Sequence, residues 1–425
     1  MSDSNRVMMT GMGAITASGH TLDATWEAVL AGTQGIAEIE HWDVSSWKHR
    51  LGGEITPFEP AKLLPDRKLM KVISKQDVLG INAAMQAIHH SELLDYRNTL
   101  SSVDEFNEQT AIFVGSPGNK YYQQYDFLPL LAKSDGNMTA FAEQLFSEIH
   151  PMWLLRILPN NVLAYTGIIY GFKGVNHNIA NHAVGGTQAI IEAYHAIKLG
   201  QAERAVVVAY DVGTEPQSLF YYAKLGLISP HDLKPFDRMQ DGTVLAEGAA
   251  AIVLESEASA RRRGAKCYAE VMGGASNSEA SGLISIESEG TFLARLLAET
   301  LNKHAIHPSD VGLVVAHGNG NPKSDISEAK AINEVFGEYA VPVTAFKWSM
   351  GHTLCASGIL DASLMAYSMH NQCIPGVANL SEVAPDCGHL SVTSKTRIMD
   401  DAKPYAIMMN RGFGSMNACL VLKSI

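Results

Sequence analysis

Apolar runs of strand length alternate along this chain with amphipathic helical patterns, and the whole alternation occurs twice. In the first half, strand signals fall at residues 6–10, 110–114, 176–180, 205–209 and 249–255, with helical periodicity at 22–31, 77–89 and 185–199. After Ala258-Ser259-Ala260 the pattern restarts, with strands at 267–272, 313–316 and 341–344 and helices at 292–304, 327–336 and 357–369. Side chains repeat with period two along a strand and about 3.6 along a helix, so a chain that switches repeatedly between them packs as layers of helix on sheet. The expectation is a duplicated α/β protein, although the halves show no clear sequence identity.

Several strand signals run straight into glycine-bearing loops. Val311-Gly312-Leu313-Val314-Val315 leads into Ala316-His317-Gly318-Asn319-Gly320-Asn321-Pro322, with Asp325 and Glu328 beyond. Val341-Pro342-Val343-Thr344-Ala345-Phe346 leads into Lys347-Trp348-Ser349-Met350-Gly351-His352, followed by a small-residue helix start, Ala356-Ser357-Gly358. A third loop, Arg411-Gly412-Phe413-Gly414-Ser415-Met416-Asn417, precedes the terminal strand Ala418-Cys419-Leu420-Val421-Leu422. Folds of this class place ligands at the C-terminal ends of their strands. The stretch from His177 to Gly186 passes from a strand through a tight turn into a helix. Such a turn holds a side chain over free N–H groups, where a thiol pKa falls.

These loops, together with Arg6-Val7-Met8-Met9-Thr10-Gly11-Met12-Gly13, Thr25-Trp26, Leu30-Ala31-Gly32, Pro235-Phe236-Asp237-Arg238, Asp241-Gly242 and Glu247-Gly248-Ala249, resemble the β-ketoacyl-acyl-carrier-protein synthases of the thiolase superfamily, specifically the synthase II group. The resemblance runs from about Arg6 to the C-terminus. It implies a thiolase-like fold in which two fused βαβαβ-type halves, residues 1–257 and 258–425, form a five-layered α-β-α-β-α core with a pseudo-twofold axis. Residues 116–161, with Tyr121, Tyr122, Tyr125, Phe127, Met152 and Trp153, read as an insertion that either lines an acyl tunnel or packs in the core or an interface.

The family's Thr-Ala-Cys turn falls on Asn181-His182-Ala183, which leaves alanine at the nucleophile position. By the same resemblance, His317 and His352 point at a malonyl thioester carbonyl, while Lys347 with Glu328 orients and charges the His317 position. Phe413 is the gate, and its N–H pairs with that of Ala183 as an oxyanion hole. His182, Asn319, Asn321 and Ser415 depart from the family pattern and are candidate acyl-pocket residues. Arg67, Lys68 and Lys71 form the candidate carrier-protein patch, with Arg261, Arg262, Arg263 and Lys266 as a second basic cluster; each cluster also reads as a solvated helix face.

Condensation of acyl thioesters needs a nucleophile to carry one acyl group and donors to stabilise the enolate formed when a malonyl thioester loses carbon dioxide. Only the second set is retained. Malonyl decarboxylation is therefore the better-supported expectation, with two alternatives open: a non-catalytic partner like the chain-length factors of type II polyketide assembly, or an engineered Cys→Ala or Ser→Ala variant of a condensing enzyme. Cys355, three residues after His352, is the one candidate for a replacement nucleophile; the bland reading is a small buried hydrophobe.

A net charge of −12 and the lack of a basic, aromatic-laced stripe argue against a nucleic-acid partner. Five scattered cysteines without ligand spacing fit reduced thiols and no metal site. With no nucleotide or flavin motif, no cofactor is expected beyond the carrier protein's phosphopantetheine. The chain's start lacks an apolar signal core and its longest apolar stretches are strand-sized, so a cytoplasmic protein with no membrane contact is expected. A charged fraction of only 18% suggests burial at a subunit interface, either a homodimer or a heterodimer with a ketosynthase, joined through the short strand near 177–180.

Overall fold

The computed structural model describes residues 6–118 and 123–425, the side chains of 123–126 excepted. Tyr121 and Tyr122, and the side chain of Tyr125, lie outside the described residues.

Strands β1 (Val7–Thr16), β2 (Thr110–Gly115), β3 (Asn176–Ile179), β4 (Arg204–Val212) and β5 (Glu247–Ser256) lie in the order β1-β5-β4-β2-β3. Strands β6 (Ala269–Ser278), β7 (Val311–Val315), β8 (Val343–Thr344), β9 (Tyr405–Gly412) and β10 (Met416–Lys423) follow as β6-β10-β9-β7-β8, the same order shifted by five. Directions repeat as well: the first three strands of each half are antiparallel and the remaining pairings parallel. A short antiparallel contact, Val7↔Val271 to Met9↔Ala269, joins β1 to β6 and makes one ten-stranded sheet. The doubling expected from the alternation is thus present in backbone topology.

Helices fall into matching slots. The first half has α1 (Lys75–His90), α2 (Asn161–Tyr170) and α3 (Gly185–Lys198); the second has α4 (Thr291–Lys303), α5 (Pro322–Phe336) and α6 (Ser357–His370). α3 and α6 pack on each other and on strands of both halves, forming the central layer. α6 is buried from Ser357 to Met369, as a helix of the central layer must be. Their close crossing depends on glycine: a Cβ on Gly186 would lie 2.6 Å from the Cys355 carbonyl oxygen, and one on Gly358 would lie 2.5 Å from the Thr187 nitrogen. α1 and α2 cover the strands of the first half, and α4, with α5 packed on it, covers those of the second.

This crossing sets two short 3₁₀ turns side by side, His182–Val184 before α3 and Leu354–Ala356 before α6. Each opens on a non-glycine residue in the left-handed region, His182 with φ 46° and Leu354 with φ 47°. Such a conformation is costly and persists only where its surroundings fix it.

One expectation needs correction and two gain detail. β3 is not apolar: Asn176, His177 and Asn178 make it a polar strand, exposed or half-buried at the outer edge of the sheet. The segment after β2 forms helices Gln123–Lys133, Met138–Glu148 and Trp153–Ile157, held in part by Phe127 against Phe141 and Trp153. The basic cluster Arg261-Arg262-Arg263 is internally paired, with Glu257 at 2.7 Å, Glu203 at 2.5 Å and Glu255 at 2.5 Å, whereas Arg67, Lys68 and Lys71 stay exposed. No helix among the described residues is long and apolar enough to cross a membrane.

Candidate active site

The loops after β7, β8 and β9 meet the turn before α3 around one cavity, which holds about 600 Å³ of empty space, part of it open to solvent. His317, His352, Asn319, Asn321, Phe413, Ser415 and His182 all line it. Ala183 is fully buried and does not. The side chain that meets the cavity at this turn is its neighbour, His182.

His317 follows five buried residues of β7 and is fixed through its backbone. Glu328, buried on α5, accepts the N–H of His317 at 2.6 Å and that of Gly318 at 2.9 Å. The imidazole itself is enclosed, and neither ring nitrogen has a partner. Burial, then the charge of Lys347, holds its pKa well below the ordinary value, so the ring is neutral. In the same loop the Asn319 side-chain Oδ1 accepts the Asn321 N–H, and the Asn321 Oδ1 caps α5 by accepting the N–H groups of Lys323 and Ser324. Each amide therefore has its NH₂ left to face the cavity. Beneath the loop, Asp325 accepts the Phe236 N–H at 2.9 Å, and burial with the Glu328 charge pushes its carboxyl up to about 8.

His352 hangs from the chain running into β5 by its own N–H to the Val244 carbonyl at 2.7 Å. Its Nδ1 accepts the Leu354 N–H at 3.3 Å, which assigns the proton to Nε2 in the neutral ring; burial keeps the ring neutral. The His317 and His352 rings stand 5.1 Å apart at 83°. Two uncharged imidazoles thus face one space.

Lys347 pairs not with Glu328 but with Asp361, at 2.9 Å, and both side chains are only 3% exposed. Asp361, on α6, also accepts from Asn410 at 2.9 Å. Glu328 orients the His317 loop through its backbone, whereas the field of Lys347, after burial, keeps His317 neutral rather than charged as expected; Asp361, the partner of Lys347, was not among the expected site residues.

The expected gate differs more. The Phe413 N–H, expected to share an oxyanion hole with the Ala183 N–H, is donated to Nδ1 of His182 at 3.2 Å. His182 Nε2 lies 2.7 Å from the Tyr222 hydroxyl. The phenylalanine ring stacks on His182 at 4.3 Å and on Tyr222 at 5.2 Å. Burial pushes the His182 pKa down to about 4, so the neutral ring accepts at Nδ1 and donates from Nε2. Tyr222 comes from helix Pro216–Lys224 and was not anticipated.

Two further groups border the site. Arg411 is buried with its guanidinium on Glu279 at 2.5 Å, Asn417 at 3.1 Å and the Ser324 carbonyl at 3.1 Å. Ser415 donates to the Gly282 carbonyl at 2.6 Å, tying the gate loop to the segment that follows β6. Cys355 is excluded as a replacement nucleophile. It is buried and does not line the cavity, and burial with the neighbouring Asp211 charge drives its thiol pKa well up. Among the described residues, His41, Glu54 and Glu247 have metal-compatible spacing, yet none of the three lines this cavity, and Glu247 is already bound by Lys75, Thr214 and the Ile55 N–H.

Paired halves around α3 and α6, with ligand loops gathered where the strands end, define a thiolase-like ketosynthase fold. The chain belongs to the β-ketoacyl synthase family: residues 4–260 match the family's N-terminal domain and residues 268–381 its C-terminal domain. Among its relatives, a Synechocystis protein named 3-oxoacyl-(acyl-carrier-protein) synthase 2 is 27% identical over 432 residues, covering 99% of this chain and 98% of the relative. The Staphylococcus aureus protein of the same name is 28% identical over 437 residues, covering 100% and 99%. Solved structures share the fold: a Burkholderia phymatum β-ketoacyl synthase has a TM-score of 0.86 at 24% identity over 99% of this chain and 100% of its own. The ishigamide ketosynthase/chain length factor gives 0.87 at 22%, with the same coverage.

Proposed function

We propose that this protein binds malonyl-type thioesters carried on the phosphopantetheine of an acyl carrier protein and decarboxylates them, without itself becoming acylated, within fatty acid or polyketide biosynthesis. The observation that carries this reading is the pair of neutral imidazoles, His317 with both ring nitrogens unpartnered and His352 with its Nδ1 occupied so that Nε2–H is the donor. A thioester carbonyl oxygen placed between them would accept N–H donation. As the bond to the carboxylate breaks, carbon dioxide leaves, the electron pair passes into the carbonyl to give an enolate, and a proton taken up at the α-carbon yields the acetyl thioester. Neutral donors suit this step, because they stabilise the developing oxyanion without forming an ion pair with the departing carboxylate. Arg67, Lys68 and Lys71 provide an exposed basic patch for an acidic carrier.

A second reading, the chain-length-factor-like partner of an active ketosynthase, draws on the closed Phe413 gate and on the open edge of β3, which offers unpaired backbone groups to another subunit. The same gate weighs against an engineered loss of the nucleophile, since a single Cys→Ala change brings neither His182 nor its bond to Tyr222.

Incubation with malonyl-carrier protein, followed by mass, decides between them. Acetyl-carrier should accumulate, and His317→Ala or His352→Ala should slow it by about two to three orders of magnitude, the usual cost of one oxyanion donor. No turnover in the parent protein moves the assignment to the partner role, where light scattering should show a monomer that pairs only with a ketosynthase.

A further inference from the structure

We infer that His182 is a positioning residue that locks the Phe413 gate and withdraws its N–H from oxyanion binding, so that the acyl side of the site is closed independently of the missing nucleophile. This rests on the reading that the protein does not become acylated, and it explains how that state is held.

An oxyanion hole works when preorganised N–H groups aim at the place where the oxygen will carry charge. Here the Phe413 N–H aims 3.2 Å onto an imidazole nitrogen. Freeing it requires His182 to leave its stack on Phe413, break the 2.7 Å bond to Tyr222 and rotate on a backbone already at φ 46°. Histidine is suited to this post: it tolerates the left-handed region better than most residues, accepts at one ring nitrogen while donating at the other, and offers a face for stacking. Phenylalanine would stack without accepting, and asparagine would accept without stacking. The lock also joins three separate pieces of chain, the turn before α3, the loop after β9 and helix Pro216–Lys224. A push on that helix at its exposed residues Phe220 and Tyr221 would reach the gate through Tyr222.

Cysteine restored at position 183 would therefore find one of its two expected donors engaged. The test compares Ala183→Cys alone with His182→Ala/Ala183→Cys and His182→Phe/Ala183→Cys, the last keeping ring volume while removing the acceptor. Two rates are read on each protein: alkylation by iodoacetamide, which needs a reachable thiolate but no oxyanion hole, and acyl transfer from hexanoyl-N-acetylcysteamine, which needs both. The mass shift is followed on the peptide containing residue 183. Both double variants should transfer the hexanoyl group about 100-fold faster than the single variant, relative to their own alkylation rates. Equal normalised transfer in single and double variants would overturn the inference, as would a gain confined to His182→Ala/Ala183→Cys, which would assign the block to ring bulk. Malonyl decarboxylation by the parent protein, measured alongside, tests the proposed function separately, since its failure leaves this comparison intact.

Discussion

The turn that begins α3 and the turn that begins α6 use nearly the same backbone for opposite ends. Both are 3₁₀ turns opening at φ 46° and φ 47°, and both hold an imidazole whose Nδ1 accepts a backbone N–H. His352 takes that bond from Leu354 in its own loop and keeps Nε2–H for the cavity. His182 takes it from Phe413 on another strand and directs Nε2 at Tyr222. An imidazole tied locally remains a tool for a ligand, whereas one tied across the fold becomes part of the wall. On the His317–His352 side the ring nitrogens of His317 are left without partners, whereas on the Phe413 side the backbone donor is already taken by His182.

The largest expected effect tests whether the open side depends on its buried charge pair. Lys347→Met leaves Asp361 buried without its cation, and breaking such a pair costs about 3–5 kcal/mol of stability. Denaturant midpoints should show that loss, with much of it recovered in Lys347→Met/Asp361→Leu. A single variant as stable as the parent protein would mean that Lys347 is not held as described.

A smaller effect sharpens the closed side. His182 has its folded pKa pushed down to about 4, below the usual value of about 6.5 in an unfolded chain. Between those values the unfolded state binds more protons, so its contribution is fully present above pH 6.5 and is lost as pH falls toward 4. Asp325, with its carboxyl pushed up to about 8, and Asp211, pushed up to about 7, change stability in the opposite sense. The quantity to measure is therefore the difference between the parent protein and His182→Phe, in which those groups cancel. Across that window the parent should lose up to about 3 kcal/mol relative to the variant. A flat difference would mean that the ring is charged or solvated.

The smallest effect falls on Tyr222→Phe, which keeps the stack and removes one hydrogen bond. It should cost about 1 kcal/mol in thermal or denaturant unfolding, and decarboxylation should be unchanged. A loss of several kcal/mol would mean that Tyr222, rather than His182, anchors the gate.

The doubled α/β order is legible because several core strands are apolar runs of strand length and the helices between them are periodic. β9 escaped that reading: its residues, Tyr405-Ala406-Ile407-Met408-Met409-Asn410-Arg411-Gly412, include one β-branched side chain and run into two polar residues, Asn410 and an Arg411 buried beside Glu279. The histidine loops were legible from their place after apolar runs. Their wiring was not, because Lys347 meets Asp361, 14 residues on, rather than Glu328, and nothing in the sequence marks which acid it meets. Tyr222 lies 40 residues from His182, a contact that exists only once the helix Pro216–Lys224 has docked. Ala183 stands where the family resemblance leads one to expect a nucleophile. That its neighbour closes the gate needed coordinates.

The contrast between the two turns is tested most directly by imidazole ¹⁵N–¹H NMR of the parent protein, titrated with a malonyl-pantetheine analogue that cannot lose carbon dioxide. The account predicts that the ring signals of His317 and His352 shift on binding, while those of His182 stay in place as a neutral ring protonated at Nε2. Movement of the His182 signals with His317 and His352 unchanged would contradict it.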